Sequence, residues 1–99
     1  MTVQLLTNAI QTIHQNVQNA PRYDVNINGT LHIVVAPQSS VVLTLWLNGI
    51  PAVLNQGNSL SGGAWYDFDG IEVLQGDEIQ ITGNVDTQGF LRMYVKSVF

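Results

Sequence analysis

The sequence predicts a mainly β protein: a small antiparallel β-sandwich or jelly roll of about eight short strands, preceded by one N-terminal helix. Three observations lead there. From residue 23 onward apolar and polar residues alternate at period two, in short runs. Turn signals built on Gly, Asn, Asp and Pro separate those runs at a spacing suited to a sandwich. Before Pro21, by contrast, Val3, Leu6, Ile10, Ile13 and Val17 step by three and four, the rhythm of a coiled-coil seam. At 99 residues the chain reads as one domain. It divides into a helical heptad segment or anchoring arm over 1–20 and a β body over 21–99.

The expected helix starts at Thr2, a good N-cap residue. It places Val3, Ile10 and Val17 at the a positions, and Leu6, Ile13 and Ala20 at the d positions. β-Branched residues at both a and d favour three strands over two. The segment holds no Lys, Arg, Asp or Glu, so identical copies would not repel one another. Its remaining Gln, Asn and Thr are only fair helix formers, and a helix of about 18 residues is marginal alone. Self-association through Val3, Leu6, Ile10, Ile13 and Val17 is therefore the expectation. The alternatives are a helix lying on its own body and an extended arm threaded onto a neighbour. Pro21 ends the segment, because it disfavours helix at Ala20.

In the body, "YDVNIN" leads to Asn28-Gly29, a two-residue turn signal, and "TLHIVVA" is the returning strand, stopped by Pro37. "SVVLTLWLNG" carries Val42, Thr44 and Trp46 on one side and Val41, Leu43, Leu45 and Leu47 on the other. Apolar residues on both sides predict a strand covered on both faces, with Trp46 in the core. Asn48-Gly49 ends that strand, and Pro51 confines "PAVLN" to an edge or a strand start. "QGNSLSGG" is a loop by composition. The strands "AWYDF", "GIEVL", "EIQITGNV" and "FLRMYVKSVF" follow, the last running to the end of the chain.

Composition narrows the function. Only 10% of residues are charged, well below the usual level of about a quarter. The polar surface is thus built from amides and hydroxyls, which suits a protein held against neighbours. A net charge of −4 with three basic residues argues against nucleic acid and against an anionic membrane surface. With no cysteine, disulfides and thiolate zinc sites are excluded. The N-terminus has no basic region followed by a continuous apolar run, and no stretch approaches the roughly 20 apolar residues of a membrane span. The expectation is a protein without signal peptide or transmembrane segment.

Chemistry-bearing motifs are sparse. Asp67, Asp69 and Glu78 fall at positions 1, 3 and 12 of a calcium loop, but Ile71 and Glu72 occupy positions 5 and 6, where a ligand and a Gly belong. Asp77-Glu78 are adjacent on a strand and point to opposite faces, so "QGDE" reads as a hairpin turn. His14 and His32 are the sole imidazoles, and no nucleophile elbow or zinc-hydrolase motif is present. Asn28-Gly29-Thr30 fits a glycosylation sequon, but turn geometry already explains it. Trp65, Tyr66, Asp67 and Asp69, after a Gly-rich loop, form the candidate ligand site: an aromatic ring stacks on a sugar while carboxylates accept from hydroxyls. The competing reading turns Trp65 inward as core and Tyr66 outward. No catalytic residue and no cofactor or metal is expected.

The segment "VLQGDEIQI" and the terminal strand "FLRMYVKSVF" resemble a hairpin and the last strand of trimeric C1q/TNF-like jelly-roll heads and of similar viral spike, fibre and capsid decoration modules. The resemblance covers roughly residues 23 to 99 and implies a homotrimer with no enzymatic step. The expectation is a non-enzymatic virion protein, assembled in the host cytoplasm, whose partners are its own copies and a larger virion or capsid protein. The alternative is a carbohydrate- or receptor-binding module with a glycan as partner.

Overall fold

The computed structural model describes residues 2–97; Val98 and Phe99, the end of the expected last strand, lie outside the described residues. Among the described residues eight strands form two antiparallel four-stranded sheets. They are β1 (Val3–Ile13), β2 (Tyr23–Asp24), β3 (Gly29–Pro37), β4 (Leu43–Leu47), β5 (Ile50–Val53), β6 (Tyr66–Val73), β7 (Glu78–Gly83) and β8 (Thr87–Ser97). One sheet has the order β1-β8-β3-β6 and the other β2-β7-β4-β5. The pairs β1/β8, β2/β7, β3/β6 and β4/β5 nest like one long hairpin rolled up on itself. Between the sheets lies a core that includes Ile13, Leu31, Ile33, Val35, Leu43, Leu45, Ile79, Ile81, Leu91, Met93 and Val95. Among the described residues no helix is long and apolar enough to cross a membrane.

The N-terminal helix is not there. Residues 3–13 form the longest edge strand of the body, paired with β8 from Val3 opposite Lys96 to Ile13 opposite Thr87. The expected seam is split: Ile13 is buried, Leu6 packs against the core, Val3 and Ile10 are exposed, and Val17 lies in a turn after the strand. The reason is a β-bulge. The register skips Leu6 between Leu5, opposite Tyr94, and Thr7, opposite Met93, and Leu6 and Thr7 are consecutive half-buried residues, with Leu6 packed against the core. Odd spacings, such as Val3 to Ile10 and Leu6 to Ile13, then share a face. Period two with one inserted residue looks like a heptad. Val, Ile and Thr favour the extended backbone, and the segment has no charge pairs to stabilise a helix.

Two further expectations change. Asn28-Gly29 makes no hairpin: β2 and β3 lie in different sheets, and neither residue has positive φ. Gly29 serves close approach instead, because a Cβ there would collide with the backbone oxygen of Lys96. Trp46 is half-buried on the outside of its sheet rather than in the core. Its indole Nε1 donates to Thr82 Oγ1 at 2.8 Å. Beside it, buried Gln80 donates to the carbonyls of Val17 and Ala20 at 2.9 and 3.1 Å. The connector after β1 thus covers part of this outer face.

The Asn48-Gly49 turn is present, with φ of 53° and 80°, and Pro51 sits on β5, an edge strand. "AWYDF" and "GIEVL" merge into β6, which is kinked where Gly70 has φ 76°.

Candidate functional site

The surface left uncovered is the outer face of the β1-β8-β3-β6 sheet. Strict alternation builds it: Leu31, Ile33 and Val35 on β3 and Leu91, Met93 and Val95 on β8 point to the core, so their neighbours point out. Cross-strand register arranges those neighbours in rows. Ile10, Phe90 and Ala36 form one row, Asn8, Arg92, Val34 and Asp67 the next. Leu5, Tyr94 and His32 follow, then Val3, Lys96, Thr30 and Glu72.

Apolar rows therefore alternate with charged ones. Ile10 is 77% exposed, Trp65 66% and Leu5 58%. The Trp65 ring meets Phe90 at 5.1 Å between centroids, tilted by 49°. Small Ala36 stands beside Phe90 in the ladder and leaves room for that contact. His32 and Tyr94 stack nearly parallel at 4.8 Å. At the end of the Ile10 row an open groove of about 380 Å³ is bounded by Ile10, Phe90, Ala36, Pro37, Gln38 and Gln88. These residues are all uncharged.

The four candidate ligand residues do not converge. Trp65 and Asp67 are exposed, and Asp67 lies in the outer rows; Asp69 is exposed at the β6 kink. Tyr66 turns inward and packs against the core. Its hydroxyl accepts from Ser61 N–H at 2.7 Å, and hydrogen bonding from Ser61, side chain before backbone, holds its pKa below the usual 10.0. The phase is thus the reverse of the competing reading, in which Trp65 was core.

The other motifs resolve into structure. Asp67 and Asp69 belong to β6, whereas Glu78 belongs to β7 in the opposite sheet, 3.8 Å from Arg22. Among the described residues no group of three His, Asp or Glu is placed to hold a metal ion. Asp77 accepts from Asn48 Nδ2 at 2.9 Å and from Leu74 N–H at 2.8 Å. Those two bonds, Asn48 first, lower its pKa from the ordinary 3.8. Asn48 in turn accepts from Glu78 N–H, so the pair locks the β4–β5 turn to the β6–β7 turn. His14 lies in the connector, where its carbonyl accepts from Gly83 N–H at 3.0 Å.

No protein-family model matches the chain, and no curated protein matches it either. The residues of the face that sequence reasoning passed over are Leu5, Phe90 and Tyr94; His32 was weighed only as an imidazole. Alternation in "FLRMYVKS" does set Phe90, Arg92, Tyr94 and Lys96 on one side. It does not say which side is out.

Proposed function

We propose that the protein is a non-enzymatic structural module of a virion, a capsid decoration or cement protein or a spike or fibre component, whose copies associate through the outer face of the β1-β8-β3-β6 sheet. One observation carries the reading: the apolar residues Ile10, Leu5, Val3 and Trp65 are all more than half exposed, and all but Trp65 lie on one strand. Several large apolar side chains exposed on one face mark an interaction site more often than a bare exterior. Two things support the wider assignment. The strand order, with β8 between β1 and β3, supports a jelly-roll reading of the sandwich, an architecture shared by viral capsid and lectin domains. The low-charge, amide-rich exterior suits permanent contact with a larger capsid protein.

Sedimentation equilibrium tests the reading. A mass of two or more times the 10.8 kDa chain supports association. A single-chain mass at roughly 100 µM refutes it. The resemblance implies three copies, and the same mass decides that number; the heptad argument for three disappears with the helix.

A second reading, a carbohydrate- or receptor-binding module, is favoured by the outward turn of Trp65 beside the uncharged groove. An exposed indole next to carboxamides can stack on a sugar ring while Gln38 or Gln88 takes its hydroxyls. Glycan-array binding that disappears in Trp65→Ala, with the fold intact by circular dichroism, is its test. An array without signal removes it.

A further inference from the structure

The two sheets have four edge strands, and their protection differs. β2 is only two residues long. β5 is four residues long and carries Pro51. β6 bears Asp67, Asp69 and Glu72 within eight residues. Short length, proline and charge are the usual devices that keep an edge from pairing with another chain. β1 has none of these. It is eleven residues long, contains no Pro, Gly or charged residue, and has β8 on one side and no strand on the other.

Its first third is partly closed, by the bulge at Leu6 and by Gln4, which donates to the Asp24 carbonyl and accepts from Asn26 N–H. From Thr7 to Ile13 the ladder is regular and the far edge is open. Because backbone groups alternate sides along an antiparallel strand, the N–H and C=O of Asn8, Ile10 and Thr12 point away from β8 to this open edge.

We infer that β1 pairs with β1 of a second copy, antiparallel about a twofold axis through Ile10. The pattern of the open stretch is symmetric about that residue. Ile10 faces Ile10, and Asn8 faces Thr12, all on the outer face, with cross-strand Cβ separations of about 4.5–5.5 Å. The apolar row then runs unbroken across the axis as Phe90–Ile10–Ile10–Phe90, and two four-stranded sheets become one of eight. Ile10, the most exposed large hydrophobic side chain among the described residues, is covered by its own copy. The absence of charge in β1 means that self-pairing sets no like charges against each other. This inference rests on the reading that copies associate; it replaces the threefold count with a twofold one.

The chain has no cysteine, so one substitution reports the register. Sedimentation equilibrium is run on the unaltered protein and on Ile10→Lys, which adds a charge at an exposed position. Ile10→Cys is oxidised in parallel, with Leu74→Cys, exposed in the turn after β6, as control. The inference expects a two-chain mass, a one-chain mass for Ile10→Lys with an unchanged circular dichroism spectrum, and a disulfide-linked dimer in Ile10→Cys but not in Leu74→Cys. A two-chain mass that survives Ile10→Lys overturns it. A three-chain mass overturns it while leaving the proposed function standing. A one-chain mass overturns both.

Discussion

Replacing Ile13 and Ile10 separately by Ala tests the account of the N-terminal segment most directly. Ile13 is 2% exposed and sits over two glycines: a Cβ on Gly83 or Gly89 would lie 3.4 Å from its Cγ2 or Cδ1. Ile13→Ala removes three carbons, worth about 0.8 kcal/mol each. The glycines bring no side chain to fill the space, so a residual cavity of roughly 60 Å³ adds about 1.5 kcal/mol at about 24 cal/mol per Å³. The expected loss is about 4 kcal/mol, a large part of the roughly 5–15 kcal/mol that holds such a domain together. With a urea slope near 1 kcal/mol per molar, the midpoint falls by about 3 to 4 M. Ile10→Ala, on the exposed face, is expected to stay within about 0.5 kcal/mol. Urea unfolding followed by tryptophan fluorescence is the assay, repeated at tenfold higher protein concentration to separate any subunit contact at Ile10 from folding. Equal shifts for both variants, as two seam positions of one coiled coil would give, refute the strand-and-bulge reasoning. So does a cost below about 1 kcal/mol for Ile13→Ala.

Deleting Leu6 removes the bulge but leaves Leu5 outward and Thr7 inward, so the variant folds with a loss of about 1–2 kcal/mol; deleting Ala9 puts the residues before it out of phase and unfolds β1, as amide exchange on β8 reports. Gln80→Leu orphans the Val17 and Ala20 carbonyls, costs about 1–3 kcal/mol, and makes the 14–22 connector the first site of limited proteolysis. Thr82→Val takes the acceptor from Trp46 Nε1, and a loss of about 1–2 kcal/mol is read from the melting temperature. Asp77 has a folded pKa below its ordinary 3.8, so its contribution is complete above that value and is lost as pH falls through the folded pKa. Urea midpoints at pH 6 and pH 3 should therefore differ less in Asp77→Asn than in the unaltered protein.

What the sequence made legible is whatever depends on nearest neighbours along the chain. Asn48-Gly49 is a two-residue turn because both residues tolerate positive φ, and Pro51 sits at an edge because it has no N–H to give to a ladder. Alternation located β3 and β8. Hidden were the choices made by distant parts of the chain. Gly29 looks like a turn residue but is needed where the Lys96 backbone crosses it. Trp65 and Tyr66 are adjacent aromatics, and only the register Val35 opposite Tyr66 tells which faces the core. Val42, Thr44 and Trp46 implied a covered outer face. The cover is partial and comes from the connector held by Gln80, some 60 residues away in sequence.

The N-terminal segment is the sharpest case, because one number has two origins. Seven residues are two turns of a supercoiled helix, and seven is also an odd step along a strand. An unbroken strand sends residues seven apart to opposite faces. With one extra residue between them they return to the same face, which is what the bulge at Leu6 does for Val3 and Ile10 and for Leu6 and Ile13. Spacing alone therefore cannot separate the two. Composition can: a free-standing helical seam needs good helix formers or charge pairs on its flanks, whereas Thr7, Asn8, Gln11 and Thr12 supply neither. The same missing charges leave the stretch of β1 beyond the bulge, Thr7 to Ile13, with no charge or proline against another strand. So the feature that argues against a coiled coil argues for an edge that accepts a partner. The proposed association thus rests on the open backbone edge of β1 together with the exposed Ile10, and needs no helical seam.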